Sequence, residues 1–235
     1  MSINYNPSVV TSGLQLYLDA ANPKSYPGSG TTWTDLSGFG NHGTLTNGPT
    51  YTSANNGSIV FDGAGDYVDC GSSFTGSTLS GLTVETWMYP TSTATSIMVG
   101  NGSGIASTTF YLAQDHLYFV PGTFMFTVTG ATTYDKVHAT FSYQINSWYH
   151  IVGTWTPGNR LKIYSNGVDS SRSPAVDGSL QTSLRNGDTN LFLGTRGPTI
   201  NWYSGNLPAV KIYNRALSDE EVAQNFNAHR WRYGL

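Results

Sequence analysis

The chain has 235 residues, enough for one large domain with a sizeable core. Only 11% of them are charged, against about 25% in ordinary globular proteins. With a formal net charge of −3 and no basic run beyond Arg230-Trp-Arg232, the footprint of a nucleic-acid binder is missing. Aromatic residues reach 13%, and Thr, Ser, Gly and Asn replace the charges, a mixture that suits strands and tight turns rather than helix bundles. No apolar run is long enough to cross a membrane as a helix, and the N-terminus shows no signal-peptide pattern. Cys70 is the single cysteine, so an internal disulfide framework is excluded. These features suggest synthesis in a reducing cytoplasm.

Residues 1–12 read as an extended N-terminal arm, with Pro7 and no periodicity. Leu14–Leu18 alternates as a strand should. Residues 20–50 are rich in turn signals, among them Asn22-Pro23, Pro27-Gly28 and Asn47-Gly48-Pro49. Ser58–Phe61 and Tyr67–Cys70 are strands, and the Asp62-Gly-Ala-Gly-Asp66 link predicts a hairpin between them. Leu82–Tyr89 is the best strand. Leu82, Val84 and Met88 share one face, while Thr83, Glu85, Trp87 and Tyr89 share a mixed face that would line a groove or meet a second layer.

Shorter strands follow at 96–100, 109–113, 117–120, 124–129 and 138–142, then a long one at Trp148–Trp155. Pro157-Gly158-Asn159 turns it into 160–165, and Asn166-Gly167 makes a second hairpin turn. The chain closes with strands at Leu191–Thr195 and Ala209–Tyr213 and one capped helix. In Ser218-Asp-Glu-Glu221, the serine accepts from the N3 amide and Glu221 reaches back. Val222 and Phe226 then share a helix face. A dozen strands with one terminal helix predict an all-β, two-sheet antiparallel sandwich forming a single domain over 13–235.

These pieces, in this order, resemble the LamG-like (concanavalin A-like lectin/glucanase) jelly-roll domains. The carrying residues are Asp35-Leu-Ser-Gly38, Val60-Phe-Asp-Gly63, Val84-Glu-Thr-Trp87, Trp148-Tyr-His-Ile-Val152, Leu161–Gly167 and Lys211–Ser218. The N-terminal wording, Leu16-Tyr-Leu-Asp-Ala20 and Trp33–Gly38 with Asn47-Gly-Pro-Thr-Tyr51, is similar to LamG-like proteins of tailed bacteriophages, cyanophages especially. That resemblance implies a non-enzymatic virion component, a capsid decoration or tail-fibre protein. It would be a homo-oligomer docked on other virion proteins, with loops free to touch a host surface glycan. The alternative is a carbohydrate-binding module of a bacterial surface or secreted protein. Many relatives carry Gly-x-Ile-Asp-Glu-Val in the penultimate strand. Here Pro208 and Ala209 stand at the acidic positions, so a metal ligand supplied there by relatives is absent.

Candidate sites follow from residue chemistry. A calcium ion wants six to eight oxygens, and Asp19 and Asp35, in loops beside Gly or Asn, are the first candidates for a structural Ca²⁺. Asp62 and Asp66 share that setting, and all four also suit Asx turns. A sugar needs an exposed aromatic platform with polar neighbours. Trp33, Trp202 and Tyr203, beside loops, are expected to be exposed, whereas Trp87 and Trp155 are expected in the core. Ile3, Tyr5, Val9 and Val10 of the arm, with Trp231 near the C-terminus, are expected to dock on a neighbouring subunit. Catalysis is not expected. The three glutamates, Glu85, Glu220 and Glu221, form no paired set, and His42, His116, His138, His150 and His229 show no zinc spacing.

Overall fold

The computed structural model describes residues 8–72, 74, 79–102, 108–115, 122–172, 177–186, 190–197 and 200–235. In chain order the strands are β1 Leu14–Asp19, β2 Thr32–Trp33, β3 Gly43–Thr46, β4 Thr50–Thr52, β5 Ser58–Asp62, β6 Tyr67–Asp69, β7 Leu82–Pro90, β8 Ser96–Asn101 and β9 Phe110–Asp115. They continue with β10 Thr123–Thr129, β11 Tyr134–His138, β12 Tyr149–Trp155, β13 Lys162–Ser165, β14 Val168–Asp169, β15 Asp177–Gly178, β16 Leu191–Leu193 and β17 Ser204–Tyr213, before helix α1 at Asp219–His229. One antiparallel sheet runs β14-β13-β12-β7-β17-β5-β4, with β1 also on β17, and the other runs β15-β11-β10-β9-β8-β16-β6-β3-β2. The architecture is the expected two-sheet jelly-roll sandwich with one C-terminal helix.

Register fixes which side chains enter the core. Across the second sheet, Leu45, Val68, Leu193, Val99, Leu112, Phe126 and Val137 pair strand by strand and all lie in the main core cluster. The adjacent row, one residue away on each strand, faces outward: Thr44, Asp69, Phe192, Gly100, Tyr111, Thr127 and Lys136. A period of two makes these rows mutually exclusive. Gly153 lets the two sheets close, because a Cβ there would sit 2.2 Å from the Phe126 ring.

The Asp62–Asp66 link is a corner rather than the hairpin expected. β5 pairs with β17 and β4 in one sheet, and β6 pairs with β16 and β3 in the other. Asp66 accepts the Asp62 amide and Asp62 accepts the Ala64 amide. The turn residues are as read, but the apolar inner faces of the two strands join opposite layers of one core. The strand expected at 138–142 instead spans Tyr134–His138. Past it the Ala139 amide still donates to Phe124 of β10, and the Thr140 amide then turns to the Ser170 carbonyl. The strand expected at 117–120 lies outside the described residues. At Asn166-Gly167, φ values of 50° and 81° make the I′-type turn that joins β13 and β14. Pro208 sits inside β17 at a register shift between Asn206 and Ala209, which accommodates a residue with no N–H to donate.

Candidate functional site

Helix α1 covers much of the outer face of the first sheet. Its capping box forms as read: Glu221 N donates to Ser218 Oγ at 3.3 Å, and Ser218 N donates to Glu221 Oε2 at 3.0 Å. Arg215 adds a bidentate pair to Glu221 at 2.7 Å. Val222 packs with Val152, Tyr164, Tyr213 and Leu217. Phe226 stacks on Trp87 at 5.7 Å, and Tyr233 lies 4.3 Å from Trp87 between ring centroids. The mixed face of β7 therefore meets a second layer.

Beneath that layer lies a charged network. Glu85 accepts from Lys211 Nζ at 2.6 Å and Asn225 Nδ2 at 2.6 Å, and His150 Nε2 lies 3.1 Å away. Glu85 and Lys211 are each 1% exposed. Burial alone would raise the Glu85 carboxyl, but Lys211 and His150 hold it well below the usual carboxylate range. Burial pushes His150 and His229 down, His229 to about 2, so both imidazoles are neutral. Asp19 joins the same layer through Arg232, at 2.9 and 3.0 Å.

The outer face of the second sheet is different. At its β3–β6 end a cleft of about 480 Å³ is lined by Asn41, His42, Thr44, Thr46, Asp69 and Asn190, with Gly40, Cys70 and Gly71 at its margins. Asp69 projects from β6 opposite Thr44 of β3 and Phe192 of β16. Asn190 Nδ2 bridges both Asp69 oxygens at 2.9 Å, and Gly71 N donates to Oδ1 at 2.8 Å, so the carboxylate plane is fixed. His42 Nδ1 accepts the Asp35 amide at 3.1 Å, which leaves its proton on Nε2. Tyr67, two residues before Asp69 and on the same face, pairs with Thr46 at the rim. Phe192 and Trp202 flank Tyr67 with ring centroids at 5.8 and 6.2 Å. Burial beside Asp69 and Asp35 pushes the Cys70 thiol up, so it is an inert neighbour.

The expected aromatic trio divides. Trp202 is half-buried on the outer face, next to Tyr67. Tyr203 is fully buried and set edge-on to Phe61 at 6.1 Å. The pair precedes β17 and splits, with Tyr203 in the main core and Trp202 on Tyr67, so the two rings do not share a surface. Trp33 is also fully buried in the main core, because β2 turns Thr32 outward and Trp33 inward. Neither buried ring is a sugar platform. Trp87 and Trp155 are buried as expected.

The loop carboxylates are spent on protein donors. Asp19 takes Arg232, the Tyr17 hydroxyl and the Ala21 amide. Asp35 takes the Tyr17, Ser37 and Asn41 amides and the Ser37 hydroxyl. A calcium ion at Asp19 would meet the Arg232 guanidinium, so this donor set does not fit one. Among the described residues no cluster of three or more metal-ligating side chains occurs, and no helix is long and apolar enough to cross a membrane.

The described part of the arm packs on its own domain. Val10 is buried, its amide donates to Asn225 Oδ1 at 2.8 Å, and its carbonyl accepts from Tyr213 at 3.0 Å. Val9, beside it, is half-buried. Val10 is thus committed to the chain's own helix rather than to a neighbour, because Asn225 satisfies an otherwise orphaned backbone amide there. Ile3 and Tyr5 lie outside the described residues. Trp231 is 58% exposed.

A family model for the concanavalin A-like lectin/glucanases superfamily, laminin G type, matches residues 62–223, and the chain belongs to that family. Among solved structures it is similar to domain 4 of the extracellular arabinanase AbnA of Geobacillus stearothermophilus in complex with arabinotriose. The TM-score is 0.68 at 16% identity, covering 91% of this chain and 98% of that one. It is also similar to the botulinum neurotoxin serotype D ligand-binding domain in complex with N-acetylneuraminic acid, with a TM-score of 0.67 and 12% identity over 92% of this chain. The chain spans 51% of that toxin domain. Trypanosoma rangeli sialidase matches at 0.62 and 17% identity, over 96% of this chain and 34% of that one. These likenesses show the fold. A 98-residue stretch is 30% identical to human adhesion G-protein coupled receptor D1, covering 41% of this chain and 11% of the receptor.

Asp69, Asn190, His42 and Tyr67 were not singled out by sequence reasoning. A local signal existed in Tyr67-Val68-Asp69, where one apolar residue between two polar ones predicts that both flank an outer face. Asn190 lies 121 positions away and carried no local signal.

Proposed function

We propose that this chain is a non-catalytic carbohydrate-binding module of a bacterial surface or secreted protein. The observation that carries this reading is the cleft itself: a fixed Asp69–Asn190 pair and the His42 side chain, adjoined at Thr46 by the half-buried Tyr67–Trp202 ring pair. Sugar rings offer hydroxyls to planar carboxylates and amides, and their C–H faces lie on aromatic rings. Proteins of the same fold support it, since the AbnA domain is in complex with arabinotriose and the neurotoxin domain with N-acetylneuraminic acid.

The cleft is a binding rather than a hydrolytic arrangement. Glycoside hydrolysis generally uses two carboxylates about 5–10 Å apart, and Asp69 is the only carboxylate among the described lining residues. Calcium at Asp19 or Asp35 has no part in this reading. A place on a phage particle rests on the N-terminal resemblance alone, and none of the relatives described above is a virion protein.

A glycan array followed by calorimetry tests the proposal. Wild-type protein is expected to bind defined glycans. Trp202→Ala and Tyr67→Ala are each expected to weaken binding at least tenfold while keeping the cooperative melt. No binding to any glycan, or affinity unchanged in both variants, overturns it.

A further inference from the structure

The charge and donor pattern of the cleft limit which sugars fit. Among its described lining residues Asp69 is the only carboxylate, and there is no lysine or arginine. Among the described residues, Asp69 Oδ1 accepts from Gly71 and Asn190, whereas Oδ2 accepts from Asn190 alone. An ionised carboxylate accepts and cannot donate, so a ligand at Oδ2 must bring a hydroxyl donor. That bond is charge-assisted and correspondingly strong. His42 Nε2 adds a second donor to the site, because Nδ1 is held by the Asp35 amide. Beside Thr46 stand the half-buried rings of Tyr67 and Trp202, and aromatic rings favour uncharged C–H surface.

We infer that the cleft selects neutral sugars and turns away sialic and uronic acids, an inference that rests on the cleft being the sugar site. Asp69 provides both halves of the selection. Its Oδ2 rewards a hydroxyl, and its charge repels a ligand carboxylate, with no lysine or arginine among the described lining residues to offset it. A second carboxylate within a few ångströms loses about tenfold or more in affinity at an effective dielectric typical of protein surfaces.

The test compares wild type, Asp69→Ala, Asp69→Asn and Trp202→Ala on one array of matched neutral and acidic glycans, including lactose with sialyllactose. The strongest wild-type ligands are expected to be neutral, and Asp69→Ala is expected to weaken them at least tenfold. Asp69→Asn keeps the side-chain shape and removes the charge, so binding to acidic glycans should rise about tenfold relative to their neutral partners. If the strongest ligand is acidic and Trp202→Ala abolishes its binding, the sugar site stands and the neutral selection is overturned. If neutral ligands bind equally well to Asp69→Ala and Trp202→Ala, the cleft is the wrong site and both readings fall. Melting curves for all three variants separate loss of binding from loss of fold.

Discussion

Two polar sites, one on each sheet, are held in different ways. On the first, Glu85, Lys211, His150 and Asp19 lie under helix α1 and the C-terminal turn, each with partners and almost no solvent. On the second, Asp69 is fixed by only three hydrogen bonds and faces a cleft. The same side-chain chemistry serves cohesion where a layer covers it and, in the function proposed, recognition where the side chain stays part-exposed. Burial decides the difference: a covered charge must be matched by protein, whereas an open one is matched by water and can exchange that water for a ligand.

The largest effect expected from this contrast is on the covered face. Lys211→Met leaves Glu85 buried without its cation and should destabilise the fold by about 3–5 kcal/mol, a fall of roughly 10 °C in melting temperature. Adding Glu85→Leu to that variant should recover most of the loss, since replacing a whole buried pair by apolar groups is nearly neutral. A single variant that melts like wild type would mean that the network contributes nothing.

Acid should act on the same face. His150 and His229 are held neutral in the fold but ionise near the ordinary value of about 6.5 when unfolded. Below that pH the unfolded chain binds more protons, so stability falls as pH drops, by up to about 2.7 kcal/mol per unit for two histidines. For His229 the loss continues toward about 2. Glu85, depressed in the fold, adds to the loss below about 4.3, where the unfolded chain takes up its proton. Urea unfolding across this range measures the slope, and His229→Asn should lower it by one proton. A flat profile between about pH 6 and 5 would contradict the buried, neutral assignment.

Smaller effects sharpen the comparison. Ser218→Ala removes half of the capping box that seats α1 and should cost about 1 kcal/mol, read as a few degrees of melting temperature. Asp69→Asn, on the open face, should cost less than about 1 kcal/mol, as expected for a part-exposed group. A larger loss there would recast Asp69 as structural. Chelation with EDTA should leave the melting temperature unchanged, because Arg232 serves Asp19. A calcium-dependent rise would place a cation in these loops.

Much of the fold was legible because its signals are local. Alternation in Leu82–Met88, the Asn166-Gly167 turn and the Ser218–Glu221 box each need only a few neighbouring residues. The Asp62–Asp66 link shows the limit. Its glycines and aspartates mark a reversal of direction, but whether β6 returns to β5 or crosses to the other sheet depends on β16 and β3, which bracket it only in the folded state. Trp202 and Tyr203 show the same limit at the scale of one residue. Both are large, aromatic and beside a loop, and only the tertiary packing of Tyr203 on Phe61 and of Trp202 on Tyr67 buries one and leaves its neighbour part-exposed.

The sequence by itself determined the all-β class, the two hairpins after β12, the capped terminal helix and the scarcity of charge. These follow from backbone preferences and periodicity over short spans. Only the tertiary structure decided which polar residues are covered, that Asp19 meets Arg232, and that Asp69, Asn190 and His42 share one cleft. Those outcomes depend on contacts between residues far apart in the chain, and no local pattern encodes which strand a neighbour will be.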